Sequence, residues 1–368
     1  MITQQKPRLL SVDALRGFDM LLITGGGEAL VRLKGKTGLA WVDWLSDQLV
    51  HPEWHGFTFY DFIFPLFLFT AGIALSFSLQ SGLKKGLDKR SLYKQAAVRA
   101  LVLFVLGILD KNIPLNIFDP GNIRYGTVLS RIGVATFLTT IIYLNISGRN
   151  RLVLVGVILA SYCAALFLIP VPGYGAGDLS FEGNLVGWID RNFMPGRLLQ
   201  KTYDENALIT QLPALCLTVL GAVSGDILQT AKTGAGKVLK LILFGAICIG
   251  AGLAWGMFFP INKHLWSSSF ILLTAGMAFG FLAIFYWVID VMGYRKWTFF
   301  FKVIGMNSIV IYLMVRFVPF DTMSEKLFSG FYMHAPEAYH PALNALGSLA
   351  IVWTILYIMY RKKIFVKI

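Results

Sequence analysis

Residues 58–80 read TFYDFIFPLFLFTAGIALSFSLQ, and Asp61 is the one charged residue in that run. A helix needs about 20 mostly apolar residues to cross a bilayer, so this run predicts a membrane-spanning helix. Hydropathy marks further stretches of the same kind, which gives about ten predicted spans: 12–31, 58–80, 92–110, 125–144, 152–170, 207–229, 238–259, 268–290, 301–319 and 342–360. The sequence therefore predicts an all-α, polytopic membrane protein with one transmembrane domain over residues 1–368.

The composition agrees with a membrane protein. Of the 368 residues, 56% are hydrophobic and 14% are charged, whereas a soluble domain carries about 25% charged residues. This shortfall excludes a disordered chain and disfavours a soluble enzyme. The net charge of +13 would suggest nucleic-acid binding in a soluble protein, but membrane proteins collect Lys and Arg in cytoplasmic loops. We therefore expect a lipid bilayer as partner and no nucleic acid.

The basic residues also predict an orientation. With the N-terminus in the cytoplasm, 20 of the 33 Lys and Arg residues fall in cytoplasmic segments and 10 in segments on the other side. This bias predicts that both termini are cytoplasmic. Two long loops, about 32–57 and 171–206, are then extracytoplasmic. Their tryptophans and phenylalanines predict folded lids, although an aromatic belt at the membrane surface is an alternative.

Charged residues inside the first predicted span are costly in a bilayer and are often functional. Asp13 and Arg16 are three residues apart, so they share a helical face and can neutralise each other. A structural ion pair and a functional role are equally open for them. The triplet Gly25–Gly27 follows and permits close approach of backbone or ligand.

The segment before the second span holds two histidines, His51 and His55. Either could act as a general base or a nucleophile, or simply lie at the surface. Thr58 is a candidate N-cap with Asp61 three residues later, so helix capping is an alternative to a catalytic role for Asp61. Pro52 disfavours a regular helix through both histidines, and we expect no metal site.

Three other segments are unusually polar for their positions: 203–206 before the sixth span, 260–267 between the seventh and eighth, and 306–308 in the ninth. Asn307 inside a helix should find a partner on a neighbouring helix, which packing alone would explain.

Together these segments resemble a known family, the heparan-alpha-glucosaminide N-acetyltransferases, which are multi-pass membrane enzymes. The resemblance is collinear over nearly the whole chain and is carried by short elements: Ser11–Gly17, Gly25–Gly27, His51-x-x-Trp54-x-Gly56, Asp61–Pro65, Arg131–Val134, Tyr203-Asp204 through Leu212–Ala214, Asn262-Lys263-x-Leu265-Trp266, Asn307–Ile309 and Tyr360–Phe365. The chain looks like a bacterial member that lacks the additional N-terminal lumenal region and first helix of the lysosomal enzyme. In one element it departs from that enzyme, because Ile23-Thr24 stands where an Asn-Tyr pair precedes the glycine triplet.

The resemblance implies an activity and a set of residues. Members move an acetyl group from cytoplasmic acetyl-CoA to the amine of a glucosamine across the membrane, here the bacterial inner membrane. The catalytic histidine of the H-x-x-W-x-G element corresponds to His51 and not to His55, and Asp61 is placed with it. The remaining predicted residues are assigned to the acetyl-CoA site. Arg16 and Arg131, the cations available within the membrane, are candidates for the phosphates; Asn262, Lys263 and Asn307 are candidates for donors to the thioester oxygen; and Trp266 is placed in the same site. The expected partners are acetyl-CoA and a glucosamine-containing sugar, and a homodimer stays open.

Two other functions fit the same residues. Polar helices and charges inside the membrane also suit an amino-sugar transporter, although no inverted repeat is visible. An O-acetyltransferase of a cell-envelope glycan would share the donor but use a hydroxyl acceptor. A purely structural membrane scaffold leaves the charges within the spans unexplained.

Overall fold

The computed structural model describes residues 9–206, 208–230 and 232–366. Its α-helices are α1 Leu10–Ile23, α2 Glu28–Val31, α3 Ala40–Asp47, α4 Phe59–Lys84, α5 Lys89–Lys111, α6 Val128–Asn145, α7 Gly148–Leu168, α8 Leu185–Phe193, α9 Gln211–Gln229, α10 Gly234–Gly256, α11 Ser268–Tyr286, α12 Thr298–Gly305, α13 Ser308–Phe317, α14 Phe320–Tyr332 and α15 His340–Arg361. Within the described ranges the chain pairs as β-structure only at two isolated bridges. The all-α membrane fold is confirmed. Lys6, Arg8 and Lys367, which contribute to the predicted orientation, lie outside the described residues.

The number of spans is lower than the predicted ten. Among the described residues, eight helices are long and apolar enough to cross a membrane, or up to nine if α12 and α13 form one bent span. The predicted first span fails because α1 has 14 residues, about 21 Å at 1.5 Å per residue, against a hydrocarbon core of about 30 Å. The predicted ninth span is broken between Gly305 and Ser308, where α12 and α13 meet at 74°.

Helices α4 and α9 form the centre of the bundle, and small residues let them approach closely. A Cβ at Gly72 would collide with the Thr218 carbonyl oxygen, and a Cβ at Gly221 would collide with that of Phe69. Small residues at helix contacts are typical of membrane proteins. In the most apolar 18-residue stretch of α9, 83% of the residues are buried within the protein. The corresponding value for α5, at the periphery, is 17%.

Helix α1 packs against α12 in the same manner. A Cβ at Gly17 would overlap the Phe301 carbonyl group, and one at Gly305 would overlap the Asp13 carbonyl oxygen. The chain then turns at Gly25, whose φ of +93° favours glycine. This turn ends α1, and Ile23 at its end lines a cavity.

The two long loops are folded, as predicted. The first contains α3 and the second contains α8. Trp54 joins them, since its indole Nε1 donates a hydrogen bond to the Leu179 carbonyl oxygen at 2.9 Å. The loops therefore form one ordered layer over the end of the bundle where α4 begins, which we call the His51 end.

Candidate active site

The first turn of α4 fixes the carboxylate of Asp61. Its Oδ2 accepts hydrogen bonds from the backbone N–H of Thr58 at 3.0 Å and from the Thr58 hydroxyl at 3.3 Å, which confirms the predicted cap. Its Oδ1 lies 2.6 Å from Nδ1 of His51. Asp61 is completely buried, whereas 37% of the His51 side chain is exposed. Asp61 thus does two things: Oδ2 caps the helix and Oδ1 contacts His51.

Lys263 completes a cluster with His51 and Asp61. Its Nζ lies 2.9 Å from Nε2 and 3.3 Å from Nδ1 of His51, and 3.9 Å from Oδ1 of Asp61. Lys263 is 8% exposed. The cluster therefore places a buried cation and a buried anion close to each other and in contact with one accessible imidazole.

The loop that carries Lys263 is shaped by Asn262. The Asn262 side-chain oxygen accepts from the Leu265 N–H at 2.9 Å, and the Asn262 N–H donates to the Ser267 hydroxyl at 3.0 Å. The backbone N–H of Gly56 donates to the Ile261 carbonyl oxygen at 3.0 Å, which docks this loop against the histidine segment. Asn262 thus positions its neighbour Lys263.

The contacts of His51 set its tautomer. A carboxylate can only accept hydrogen bonds, so Nδ1 of His51 carries the hydrogen that is donated to Asp61, and Nε2, 2.9 Å from the Lys263 ammonium, keeps its lone pair. A carboxylate that orients an imidazole in this way leaves the other nitrogen with a lone pair for proton or acyl transfer. The cluster is thus suited to a histidine base or nucleophile.

A cavity of about 140 Å³ adjoins Lys263. Its walls are mostly apolar side chains of four helices, α1, α4, α6 and α13, and Lys263 and Glu205 supply opposite charges. Since Lys263 contacts both His51 and the cavity, a molecule in the cavity lies one side chain away from the imidazole.

A second polar cluster surrounds His264. The Tyr203 hydroxyl lies 2.7 Å from Nδ1 of His264, and Oε2 of Glu205 lies 3.8 Å from the same nitrogen. The Trp54 ring stacks on the imidazole at 5.3 Å with 8° between the planes. Burial lowers the pKa of His264, and the nearby Glu205 carboxylate partly opposes this. The tyrosine can then donate its hydrogen to a neutral imidazole.

His55 lies apart from the Asp61 cluster. Its Nδ1 accepts a hydrogen bond from the Asn262 amide at 3.1 Å. Burial lowers its pKa. No contact of His55 with a carboxylate occurs among the described residues, so it lacks the orienting partner that His51 has.

Arg131 and Trp266 form a buried pair one turn into α6. The guanidinium carbon lies 4.2 Å from the centre of the Trp266 ring. One terminal nitrogen donates to the Glu205 carbonyl oxygen and to the Thr210 hydroxyl. The other two guanidinium nitrogens have no hydrogen-bond partner among the described residues. Arg131 therefore anchors the backbone of a cavity residue.

Arg16 lies in the middle of α1, whereas Arg131 lies at the end of the first turn of α6. Its charge acts on the buried Asp19 carboxylate and on Arg99 of α5. Both Asp19 oxygens lack a hydrogen-bond partner among the described residues. The two arginines predicted to contact the CoA phosphates thus lie on different helices.

Asn307 lies at the break between α12 and α13. Its amide donates to the Ile364 carbonyl oxygen at 3.1 Å, and its side-chain oxygen accepts from the Val366 N–H at 3.1 Å. The prediction that Asn307 has its partner on a neighbouring helix is therefore wrong, because its partner is the chain segment after α15. The next residues, Ser308 and Ile309, line the cavity.

The structure brings together three of the eight predicted site residues, His51, Asp61 and Lys263. Asn262 adjoins them, Arg131 and Trp266 form their own pair, and Arg16 and Asn307 are separate. Glu205 and His264 were not selected from the sequence, although both lie in segments singled out as unusually polar. Within the described ranges, no group of three His, Cys, Asp or Glu side chains is placed to hold a metal ion.

Comparison with known proteins gives a consistent result. The family model described as heparan-alpha-glucosaminide N-acetyltransferase, catalytic, matches residues 8–252, a range that includes His51 and Asp61 but not Lys263. The human protein heparan-alpha-glucosaminide N-acetyltransferase is 28% identical to this chain and the mouse protein of the same name 26% identical. Each alignment covers 98% of this chain and 60% of the relative. The chain thus spans about 60% of the length of these curated relatives.

Proposed function

The chain belongs to the heparan-alpha-glucosaminide N-acetyltransferase family, and from this membership we propose that it is a membrane-embedded acetyltransferase. It transfers the acetyl group of cytoplasmic acetyl-CoA to the amine of a glucosamine-type sugar on the extracytoplasmic side. The observation that supports this most directly is the His51 imidazole, which contacts both Asp61 and the cavity-lining Lys263.

His51 can act by either of two balanced routes. As a base, Nε2 takes a proton from the sugar ammonium; the free amine attacks the thioester carbonyl and expels the CoA thiolate, which takes the proton that the new amide nitrogen releases. As a nucleophile, Nε2 attacks the thioester, the CoA thiolate leaves, and the acetyl-imidazole then passes its acetyl group to the amine. In both routes the Asp61 carboxylate stabilises the positive charge that develops on the ring.

Lys263 is the proposed oxyanion donor. Negative charge builds on the thioester oxygen during attack, and a preorganised cation stabilises it. Without substrate, the Lys263 ammonium lies 2.9 Å from Nε2 of His51. It therefore has to move from the imidazole to the substrate oxygen before the acetyl group is transferred. Asn262 and Asn307, the other candidates, have their amides bonded to His55 and to the C-terminal backbone.

Glu205 is the proposed contact for the acceptor. It lines the cavity together with Lys263, and a carboxylate attracts the ammonium form of an amino sugar. Arg131 holds the Glu205 backbone in place. The proposed role of Glu205 is thus to bind the acceptor sugar, and Arg131 of α6 fixes its position.

Acetyl-CoA is the proposed donor, with no resident metal. Its phosphates need cations within the membrane. Arg16 is proposed to supply one of them. Arg131 stays in the proposal because two of its nitrogens lack hydrogen-bond partners among the described residues, and the Trp266 ring keeps its guanidinium in place.

The proposed location is the bacterial inner membrane, with both termini cytoplasmic and the His51 end outside. Glu182 and Lys85 are both exposed and lie at opposite ends of the bundle. The three native cysteines are buried and give little background. An impermeant maleimide should label Glu182→Cys in intact cells and should label Lys85→Cys only after lysis, and the reverse pattern would contradict this orientation.

The decisive assay uses purified protein, radiolabelled acetyl-CoA and glucosamine, with the labelled product identified. N-acetylglucosamine is the acceptor control, because it lacks a free amine. The expected product is N-acetylglucosamine formed by the wild type and not by His51→Ala. Labelling of the N-acetylated sugar instead would indicate an O-acetyltransferase. Uptake of unmodified glucosamine into liposomes without acetylation would indicate a transporter.

A further inference from the structure

We propose that His264 is a positioning residue for the acceptor sugar. In its neutral form His264 leaves the Glu205 carboxylate free to bind the sugar ammonium, and in its protonated form it binds that carboxylate itself. This inference rests on the proposed role of Glu205. His264 does not line the cavity, so it acts on the acceptor through Glu205 and makes acceptor binding depend on pH.

His264 lies where three loops of the chain meet. It belongs to the loop before α11, and its Nδ1 lies 2.7 Å from the hydroxyl of Tyr203 in the loop after α8. The ring of Trp54, in the loop before α4, stacks on the imidazole at 5.3 Å with 8° between the planes. The backbone of Pro52, in the same loop as Trp54, is a further hydrogen-bond partner. The imidazole is thus fixed beside both the catalytic and the acceptor segments.

The neutral form of His264 is favoured in this position. Nδ1 of the neutral ring accepts a hydrogen bond from the Tyr203 hydroxyl, and a bond of this kind stabilises the uncharged imidazole. Burial also lowers the pKa of His264, because surroundings of low polarity disfavour the charged ring. At neutral pH the imidazole is therefore uncharged, and it does not form an ion pair with Glu205.

The charged groups around His264 determine what protonation changes. Oε2 of Glu205 lies 3.8 Å from Nδ1. Asp61 is a second carboxylate that favours the charged ring, whereas the Lys263 ammonium disfavours it. A proton on Nδ1 turns this nitrogen from an acceptor into a donor, and the nearest carboxylate among the described residues is that of Glu205. The protonated ring and Glu205 then form an ion pair.

This ion pair competes with the acceptor for one carboxylate. Glu205 lines the cavity together with Lys263. When the His264 imidazolium neutralises Glu205, the sugar ammonium loses its counter-charge and meets an additional positive charge next to Lys263. Acidification therefore weakens acceptor binding, at a pH below the range of an ordinary histidine because the pKa of His264 is lowered. Without His264, acid strengthens binding instead, because a larger fraction of the sugar then carries an ammonium group.

The test measures KM for glucosamine with the full-length protein from about pH 8 to about pH 5, the interval in which histidines titrate. We expect the wild-type KM to rise by about tenfold relative to that of His264→Asn, which keeps an acceptor for the Tyr203 hydroxyl and cannot be protonated. The two proteins are compared at the same pH, so the titrations of the sugar and of His51 cancel. His334→Asn, the same change at an exposed histidine outside the site, should retain the wild-type pH dependence.

A second variant tests the hydrogen bond that favours the neutral ring. Tyr203→Phe removes the hydroxyl that donates to Nδ1, so the pKa of His264 should rise. The increase in KM for glucosamine should then begin at a higher pH than in the wild type, a displacement that a merely structural role of His264 would not produce. An unchanged pH dependence in His264→Asn, or an undisplaced profile in Tyr203→Phe, overturns the proposal.

A binding measurement separates this inference from the proposed activity. Saturation-transfer NMR of glucosamine is recorded at both ends of the pH range with His51→Ala, and again after adding His264→Asn. Binding that weakens in acid with the first protein and not with the second supports the role of His264 even when no acetylation occurs. The same pH dependence in both proteins overturns that role while the transferase assay stands.

Discussion

The two ends of the helix bundle each hold a charged network, and the two networks differ in what they leave open. At the end opposite His51, the Arg151 guanidinium donates to Asp226 at 2.7 Å. The other oxygen of Asp226 accepts from the Tyr143 hydroxyl at 2.5 Å and from the Gln80 amide at 3.0 Å. Arg151 also donates to the Tyr143 and Ile146 carbonyl oxygens and lies 3.9 Å from the centre of the Tyr143 ring.

The Asp226 network is closed, since its members bond to one another and thereby join α4, α6, α7 and α9. The His51 network also has a carboxylate and a cation, but its carboxylate is fully buried, whereas Asp226 is 31% exposed. Its central ring is partly exposed and its lysine lines a cavity. A charge pair therefore does not by itself identify an active site. What distinguishes the site is an accessible imidazole next to a cavity-lining lysine, because the lone pair of that imidazole can be released to a substrate.

The largest effect is expected at the centre of the open network. His51→Ala should reduce turnover by at least about 100-fold, because a general base contributes about 10²–10⁴-fold. Acetyl-CoA binding and the melting temperature should stay near the wild-type values, since the side chain is partly exposed. Initial rates with labelled acetyl-CoA, together with thermal unfolding in detergent, measure both. Normal turnover in this variant would exclude a mechanism in which His51 is the base or the nucleophile.

The closed network should respond in the opposite way. Asp226→Asn should lower the free energy of unfolding by about 2 kcal/mol, the cost of weakening charged hydrogen bonds, while turnover per folded molecule is preserved. Thermal unfolding of the purified variant measures the first quantity and activity normalised to folded protein the second. Glu182→Gln, at an exposed carboxylate, serves as the control. A loss of turnover without a loss of stability would contradict a purely structural network.

A third substitution tests the proposed donor site in the middle of the bundle. Arg16→Ala should raise KM for acetyl-CoA by about tenfold, as expected for the loss of a charged contact to phosphate, and should change KM for the sugar much less. Steady-state kinetics with each substrate varied in turn separates the two. Equal changes in both constants, or loss of folded protein, would instead assign Arg16 to a structural ion pair.

The smallest effect is expected at the second histidine of the same loop. His55→Ala should change turnover by less than about threefold, because it removes a single neutral hydrogen bond, to Asn262. The assay is the one used for His51→Ala, so the two variants form a matched pair. A larger loss at His55 than at His51 would reverse the assignment of the catalytic histidine.

The spans that sequence predicts well are those that hydropathy alone defines. The run at 58–80 appears as α4, Phe59–Lys84, because its apolar residues continue without interruption. The predicted spans 12–31 and 301–319 fail at Gly25 and at Asn307, where the backbone turns. Both residues were visible in the sequence. A count of apolar residues does not register a turn, so these two helices appeared continuous.

The candidate site was predictable where its contacts are local. The capping arrangement of Thr58 and Asp61 follows from their spacing, whereas the choice of His51 over His55 came only with the family resemblance. Lys263 is 212 residues from His51 along the chain, so the contact between them depends on how two loops pack. Lys263 was selected as a site residue only through the family resemblance. Glu205 and His264 were missed for the same reason, since their contact requires the loop after α8 to meet the loop before α11.

The clamp between Asn307 and the chain after α15 has a practical consequence for handling the protein. The backbone groups that hold Asn307 belong to Ile364 and Val366, whereas the residues beside Asn307 line the cavity. An affinity tag fused behind Ile368 is separated from Val366 by only two residues and can therefore displace the backbone that holds Asn307. A tag at the other terminus, or a long flexible spacer before a cleavable one, leaves this clamp unloaded during purification.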